Sequence, residues 1–393
     1  MADAVLVLNA GSSSIKFALI EKSGARVAYG EIERIGEAPH FQGFDHDGAV
    51  LVDRHWADGA ALSHEDLLGP LLDWAETHLG ADRLIGVGHR IVHGGTDFSA
   101  PVRLDPTIMA ALDRLTPLAP LHQPHNLAAI RAVTALRPDL PQIGCFDTGF
   151  HHAMPEVATR LPLPARYHAA GVRRYGFHGL SYEFIAARFA ALDPAAAAGR
   201  VIAAHIGNGA SACAMLGGRS IDTSMGFTAL DGLMMGTRTG ALDPGVVLYM
   251  IEQERRSAAE ISHILYSESG LLGVSGLDAD MRNLLASTSS DAVLAVDLFC
   301  YRAAREIAGL TVALGGVDAL IFTAGIGEHA APVRRMICDK LAHFGIGLDD
   351  AANQRHGPII SSRASRVAVW VIPTDEEAMI ARHTVEMLRG EPA

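Results

Sequence analysis

The sequence contains one strand-turn-strand pattern twice, and this repeat limits the possible folds more than any other feature. Residues 5–21, VLVLNAGSSSIKFALIE, form an apolar run, a tip of Asn, Gly and Ser, and a second run of alternating apolar residues. Such alternation predicts a β-hairpin with a polar tip. Residues 201–223, VIAAHIGNGASACAMLGGRSIDT, repeat strand, polar tip and strand, followed by a Gly turn and a third strand. Because residues 26–32 supply a third strand after the first hairpin, each half is predicted to begin with three antiparallel strands.

Helix signals follow each triplet of strands. Asp105 and Pro106 are typical of a helix N-cap and first turn, and Pro138 should end the helix before it. Residues 317–323 read as a buried strand that leads into a Gly-rich turn opening a helix, a geometry suited to nucleotides. With 393 residues the chain is long enough for two domains. The predicted fold is therefore α/β and duplicated, with a central cleft between the halves.

The polar hairpin tips favour a phosphate ligand. Gly and Ser let backbone N–H groups and hydroxyls converge on one concave spot, as a polyphosphate requires. The first tip is not a P-loop, because Lys16 lies inside the returning strand and not before a helix. Taken alone, the segment is also compatible with an ordinary polar turn.

The charge balance argues against large anionic partners. Lys and Arg total 32 against 44 Asp and Glu, a net charge of −12, with no basic run. We therefore expect no nucleic-acid or membrane partner. No basic segment precedes the first apolar stretch, which favours a cytoplasmic protein. The four cysteines lie in apolar surroundings without CxxC spacing and are predicted to be buried thiols.

Several motifs together resemble the acetate kinase family, almost from end to end. They are VLVLNAGSSSIKF, GHRIVHGG, HIGNGAS, DTSMGFTALDGLMMGTRTG, FTAGIGEHA and PTDEEAMIARHT. The resemblance implies an ATP-dependent kinase of the superfamily that includes sugar kinases, chaperone ATPases and actin, usually a homodimer. It implies two ribonuclease H-like domains: residues 1–148, to which a last helix at 379–393 returns, and a nucleotide-binding domain at 149–378.

The resemblance also implies the catalytic residues. Arg90 would hold acetate or the phosphoryl group, and Arg238 and His178 would contact the equatorial oxygens of that group. Asp147 would be essential, either in organising the metal or in handling a proton. Arg238 could otherwise form a surface ion pair, and Asp147 could cap a turn.

Magnesium takes oxygen ligands, so one or two carboxylates and a side-chain amide would suffice. Asn9, Asp147 and Glu376 fit this description, and Asn9 and Glu376 are the expected ligands of Mg²⁺ or Mn²⁺. Glu377 is the adjacent alternative to Glu376.

Contacts to ATP or ADP would come from both hairpins and from two later motifs. By the resemblance they are Lys16, His205, Gly207, Asn208, Gly209, Asp280, Met281, Arg282, Gly325, Ile326, Gly327, Glu328 and His329. The family generally has Asn at the last of these positions, but both side chains can hydrogen-bond.

The methyl pocket for acetate would be Val92, Leu121, Phe177 and Ala229. This sequence reads FTALDG where the family reads FTPLEG, so Ala229 replaces a proline. The loss of ring atoms should make room for propionate.

Three functions follow in order of preference. The first is acetate kinase, which makes acetyl phosphate by direct in-line transfer. The second is a propionate- or butyrate-preferring kinase of the same family. The third, a non-catalytic ATP-gated module, would need an added peptide-binding domain for which no residues are left over. A dinucleotide dehydrogenase is disfavoured because no strand leads into GxGxxG with an acidic residue beyond it.

Overall fold

The computed structural model describes residues 3–11, 13–57, 62–80, 82–120 and 122–390. The strands are β1 (Asp3–Ala10), β2 (Ile15–Glu21), β3 (Arg26–Glu33), β4 (His40–Asp45), β5 (Val50–His55), β6 (Arg83–Ile91), β7 (Val102–Arg103), β8 (Gln142–Phe146), β9 (Arg200–Ile206), β10 (Ala210–Leu216), β11 (Arg219–Thr223), β12 (Ala319–Thr323) and β13 (Ala368–Val371). The helices are α1 (His64–Leu79), α2 (Pro106–Asp113), α3 (Gln123–Leu136), α4 (Glu156–Thr159), α5 (Ala165–Ala169), α6 (Gly179–Leu192), α7 (Pro194–Ala197), α8 (Pro244–Glu252), α9 (Ala258–Ser267), α10 (Gly270–Ser275), α11 (Met281–Ala286), α12 (Ser290–Leu314), α13 (Ala324–His329), α14 (Ala331–Lys340), α15 (Asp350–Gln354) and α16 (Glu376–Arg389).

The chain folds as two compact units. The first runs to Phe150 and includes the segment from Asp375 onward, and the second is His151–Thr374. The sequence predicts that the chain passes from one domain to the other near residues 148 and 378.

Each unit is built on one sheet, and the two sheets repeat one strand order. Within the described residues, the first sheet has the order β5-β4-β3-β2-β1-β6-β8-β7 and the second β11-β10-β9-β12-β13. In the first sheet, the antiparallel strands β3, β2 and β1 are followed by β6 and β8, which run parallel to β1. In the second sheet, the antiparallel strands β11, β10 and β9 are followed by β12 and β13, which run parallel to β9. The predicted duplicated α/β fold is confirmed.

The last helix packs on the first sheet. Helix α16 lies against β1, β6 and β8. Gly86 and Gly88 of β6 make this close approach possible, because a Cβ at either position would collide with Leu388, or with Ile380 and Thr384. The N-terminus of α16 is thereby fixed beside the ends of these strands.

The sequence is right about α2, whose N-cap Asp105 accepts a hydrogen bond from the backbone of Ile108 (2.8 Å), and about the end of α3 before Pro138. It is wrong about the segment after β12. No Gly-rich turn forms there, because α13 begins directly at Ala324 and a second helix begins at Ala331. Pro332 separates the two helices, since its ring cannot follow the preceding turn of a continuous helix.

The four cysteines are buried, as the sequence predicts. Within the part of the chain that the structure describes, no helix combines the length and the apolar character needed to cross a membrane.

Candidate active site

In the first unit, three neighbouring strands end in polar side chains. Asn9 lies at the end of β1, Arg90 near the end of β6, and Asp147 directly after β8. Because β1, β6 and β8 are parallel neighbours, their carboxyl ends lie at one edge of the sheet. Helix α16 adds Glu376 as its first residue.

Arg90 is the centre of this cluster. Its Nε donates to both carboxylate oxygens of Asp147 (3.0 and 3.1 Å), and Nη2 donates to Asp147 Oδ2 (2.6 Å). Nη1 donates to Asn9 Oδ1 (3.2 Å), and Glu376 Oε2 lies 3.7 Å from Nε. The Asp147 side chain is 1% exposed, against 20% for Arg90. The fork of Arg90 therefore neutralises a fully buried carboxylate while keeping one side accessible.

The electrostatics keep Arg90 charged. Burial alone lowers the pKa of Arg90, but the negative charges of Asp147 and Glu376 more than offset this effect, so its pKa lies above the usual value. Burial raises the pKa of the adjacent Glu377, with the charges of Glu376 and Asp375 acting in the same direction. Of the two glutamates, Glu376 is the one that forms the close contact with Arg90.

Two further predicted residues belong to this unit. Lys16 is exposed on β2, where it pairs with Asn9 across the first hairpin. Val92 is buried just after β6, and its backbone donates to Asn126 Oδ1 (3.0 Å). Leu121 lies outside the described residues.

The second unit brings together His178, His205 and Arg238. The rings of His178 and His205 stack with centroids 4.1 Å apart. A Cβ at Gly209 would lie 3.4 Å from His178 Nε2 and 4.0 Å from Arg238 Nη1, so the second hairpin tip passes directly beside both side chains. The absence of a side chain at this tip leaves space next to both groups.

His178 is held in an unusual conformation. Its φ of 58° lies in the left-handed region, which non-glycine residues adopt rarely. Its Nδ1 lies 2.9 Å from Ser211 Oγ, which in turn lies 2.5 Å from the hydroxyl of Tyr182. Strained residues held by their surroundings cluster at functional sites, and His178 has both properties.

His205 and Arg238 are also fixed. His205 Nδ1 lies 2.9 Å from Ser181 Oγ, and Arg238 Nη1 donates to the carbonyl of Ala229 (3.1 Å). Phe177, next to His178, is buried in the same unit. The loop residue Ala229 is therefore held directly by the arginine that the sequence marks as catalytic.

A cavity of about 740 Å³ opens in the second unit, and most of the predicted nucleotide residues line it. The predicted residues among its lining are Gly207, Asn208, Asp280, Met281, Arg282, Gly325, Ile326 and His329. Asp280 caps α11 through the backbone of Arg282 (2.8 Å) and pairs with its guanidinium (2.6 Å). The hydrogen bond from Arg282 is the main reason that the pKa of Asp280 is lowered.

The two glycines of α13 have different surroundings. Gly325 lines the cavity, and a Cβ there would meet nothing within 4 Å. A Cβ at Gly327 would instead lie 3.6 Å from Ile206, so this glycine packs the helix against β9. Glu328 turns its carboxylate to the backbone of Ala324 (2.7 Å) and Thr374 (3.2 Å).

The sequence misses the residues that support the two histidines. Ser181 and Ser211 orient them, and Asp278 and Ala279 line the cavity beside Asp280. Nothing in the local sequence distinguishes these small polar residues from ordinary ones, and only the pairing of β9 with β10 and the packing of α6 brings the serines to the rings.

Comparison with known proteins agrees with the resemblance of the motifs. The model of the Acetokinase family matches residues 4–382. A protein named acetate kinase from Rhodopseudomonas palustris is 53% identical over 99% of this chain and 100% of its own length. Among solved structures, a propionate kinase from Francisella tularensis matches with a TM-score of 0.90 and 37% identity over 97% of this chain and 98% of its own. The acetate kinase of Porphyromonas gingivalis matches with a TM-score of 0.87 and 37% identity over 98% and 100%. The chain therefore belongs to the acetokinase family, and its enzyme class is that of phosphotransferases with a carboxyl group as acceptor.

Proposed function

We propose that the chain transfers the γ-phosphoryl group of ATP to acetate by direct in-line displacement, giving acetyl phosphate and ADP reversibly. Acetate is already a nucleophile near pH 7, because carboxylic acids titrate near ~4. The enzyme must then hold two anions in line and neutralise the charge on the group in transfer, which is a task of positioning and electrostatics. Each unit contains fixed cations or hydrogen-bond donors of the kind that this task requires.

The arrangement of Arg90 is the observation that carries the proposal. Each guanidinium nitrogen of Arg90 donates one hydrogen to a neighbouring side chain: Nε and Nη2 donate to Asp147, and Nη1 donates to Asn9. The terminal nitrogens Nη1 and Nη2 each carry a second hydrogen. Both of these hydrogens can be donated to an anionic oxygen of acetate or of the phosphoryl group. Asp147 acts as a positioning residue, because both of its oxygens fix the orientation of the guanidinium. This role explains why a buried carboxylate would be essential without donating or accepting a proton.

In the second unit, His178 and Arg238 would bind the equatorial oxygens of the transferring group. Both flank the glycine tip of the second hairpin, and Asn208 of that tip lines the nucleotide cavity. A volume of about 740 Å³ lies within the usual range for small-molecule sites, roughly 300–1,000 Å³. The cavity would hold the adenosine part, with the phosphates directed along the hairpin tip.

The oxygen atoms around Arg90 also suit Mg²⁺. Asn9 contributes an amide oxygen, and Asp147 and Glu376 contribute carboxylates, all of them within reach of one guanidinium. Hard divalent cations prefer this donor set. When bound, the metal would neutralise phosphate charge, and Asn9 and Glu376 are the residues that would hold it.

Trapping of acyl phosphate tests the reaction. The protein is incubated with Mg-ATP, hydroxylamine and acids of two to four carbons, and hydroxamate and ADP are measured together. We expect hydroxamate from acetate that depends on both ATP and metal. Binding of ATP without hydroxamate from any acid would contradict the proposal and favour a non-catalytic ATP-gated module.

A propionate-preferring kinase is the second candidate. Ala229 stands where the family usually has proline, and the propionate kinase structure matches this chain as well as the acetate kinase structure does. The same panel of acids separates the two: the second candidate requires a higher kcat/KM for propionate than for acetate.

We further propose that the protein acts in the cytoplasm as a homodimer. Helix α8 exposes a run of apolar side chains, among them Leu248, Tyr249 and Ile251, each about half exposed. Large exposed apolar patches are typical of protein interfaces. Light scattering of the purified chain should give twice the monomer mass.

A further inference from the structure

Two histidines and an aspartate converge on the outer edge of the first sheet, away from the active-site cluster. His40 of β4 pairs directly with His55 of the edge strand β5. Their rings stack with centroids 3.8 Å apart and an interplanar angle of 11°. Asp53 lies two residues before His55, so the alternation of the strand places it on the same face. In sheet order β4 lies three strands from β1, which carries Asn9.

The ligand atoms of this group are close enough to share one ion. Asp53 Oδ1 lies 2.7 Å from His40 Nε2 and 3.4 Å from His55 Nε2. The three atoms all lie within 4.8 Å of one another. Two ligands of a tetrahedral zinc, each bound at 2.0–2.1 Å, are separated by about 3.3 Å. The separations of the three atoms bracket this value, and the stacked rings would turn out of their parallel arrangement so that both nitrogens face one metal.

We propose that His40, Asp53 and His55 form a binding site for a divalent transition metal of the zinc type, separate from the active site. Imidazole nitrogen with one carboxylate suits Zn²⁺ and not Mg²⁺, which takes oxygen ligands. Water would complete the four-coordinate shell. Metal binding uses the Nε2 lone pair of each imidazole, so a neutral ring that carries its proton on Nε2 moves it to Nδ1 by exchange with solvent.

Glu33 provides the outer contact that metal-bound histidines usually have. It pairs with His40 across β3 and β4, and its Oε1 lies 3.4 Å from His40 Nδ1. A carboxylate on the second ring nitrogen fixes the tautomer and makes the first nitrogen a better ligand. His40 is 15% exposed and His55 69%, so the site combines one fixed ligand with one that is accessible to the ion.

The site would join the edge strand to its neighbour. Strand β5 forms an edge of the described sheet, and Val50 at its start is 59% exposed. Exposed edge strands can pair with other chains. A metal that bridges β4 and β5 would hold this edge in place.

Zinc titration of the full-length protein tests the site. Zn²⁺ is added against a chromophoric chelator, with excess Mg²⁺ present to occupy oxygen sites. We expect His55→Ala to weaken binding at one site by about 100-fold or more and Glu33→Gln by about tenfold, since loss of an outer contact alone costs 10- to 100-fold. His46→Ala is the matched control, because His46 forms an exposed pair with Asp47 in the same hairpin but belongs to no such group of ligands among the described residues.

Copper spectroscopy provides a readout that does not depend on stability. Cu²⁺ bound to the wild type should show hyperfine coupling to two imidazole nitrogens, and to one in His55→Ala. Unchanged zinc affinity in His55→Ala, or an equal loss in His46→Ala, would overturn the proposal and leave an ordinary cluster of ion pairs.

Discussion

At the scale of single residues, Arg90 shows how one side chain solves two electrostatic problems. It neutralises Asp147, which is almost fully buried, and its terminal nitrogens carry further hydrogens that would bind an anionic substrate under the proposed function. A lysine could meet the first requirement only in part, because its ammonium group lacks the planar fork that engages two oxygens at once. The choice of arginine at this position therefore follows from geometry as well as from charge.

We expect Arg90→Lys to lower kcat/KM for acetate by about 10²- to 10³-fold, the usual loss when a fixed donor to a developing charge is removed. Because the charge is retained beside Asp147, the free energy of unfolding should change far less than in Arg90→Ala, which leaves a buried carboxylate unpaired at a cost of about 3–5 kcal/mol. Hydroxamate assays and urea unfolding measure the two effects.

The control for this substitution is Arg83→Lys. Arg83 lies on the same strand, but it is 73% exposed and pairs with Asp3 at the surface. Activity close to wild type in Arg90→Lys, or a comparable loss in Arg83→Lys, would contradict the proposed role.

Ala229 offers a second prediction at this scale. Proline at this position keeps the backbone carbonyl that accepts a hydrogen bond from Arg238. It adds ring atoms to the proposed methyl pocket. One methylene in an apolar pocket changes selectivity by about 1–3 kcal/mol. We expect Ala229→Pro to lower the ratio of kcat/KM for propionate to that for acetate by about tenfold or more. Acetate turnover of the same variant serves as the control for damage to the loop, and an unchanged ratio would count against a role of Ala229 in selectivity.

At the scale of elements, α13 shows that one Gly-rich motif can serve two purposes. Gly327 allows the helix to pack on β9, whereas Gly325 faces the open space of the cavity. Glu328, near the end of α13, accepts a hydrogen bond from the backbone of Ala324, the first residue of the helix, and so stabilises its start. Residues of one motif therefore divide between the lining of the cavity, which is the proposed nucleotide site, and the packing of the helix that forms its wall.

We expect Gly325→Leu to raise the KM for ATP by about tenfold or more, which corresponds to ~1.4 kcal/mol. The Cβ would meet no protein atom within 4 Å, the longer side chain would extend from a position that lines the cavity, and leucine is a good helix former, so folding should be preserved. Gly309→Leu is the matched control, since Gly309 lies in α12 with nothing within 4 Å of its Cβ position. If KM for ATP is unchanged in Gly325→Leu, the cavity is not the nucleotide site.

At the scale of the whole molecule, buried histidines make stability depend on pH. Burial lowers the pKa of His89, His93 and His151 to about 4, against 6.5 in the unfolded chain. Between these values the unfolded state binds more protons, so the free energy of unfolding falls as the pH decreases. Glu377, whose pKa is raised by burial, binds protons more readily in the folded state and offsets part of the loss at the acidic end.

We expect the free energy of unfolding to fall by about 2 kcal/mol per buried histidine between pH ~7.5 and pH ~5, measured by urea unfolding. His89→Gln tests one contribution, because it removes a titrating group while keeping a donor for Gln142, whose Oε1 lies 2.8 Å from His89 Nε2. The difference in stability between the two pH values should shrink by about the same amount in this variant. Equal pH dependence in His89→Gln and wild type would show that His89 does not titrate as described.

The sequence predicts the fold well where the information is local. Alternating apolar residues and polar tips encode the two hairpins, and Asp105 with Pro106 encodes the start of α2, because each signal acts within a few residues. It fails at α13, where the glycines suggest a turn but packing against β9 favours a helix. A glycine permits both conformations, so the neighbouring strand decides between them.

The sequence by itself determined the duplicated α/β fold and, through its motifs, the family and the types of residue that the chemistry needs. Only the tertiary structure decided which of these residues meet. Arg90 reaches Asn9 and Asp147 across 81 and 57 positions of the chain because β1, β6 and β8 are neighbours in the sheet. His40 meets His55 because of the register of β4 and β5, and a slip of one residue would turn the two rings to opposite faces. Register and strand order depend on the burial of the whole core, so no short segment of sequence can encode them.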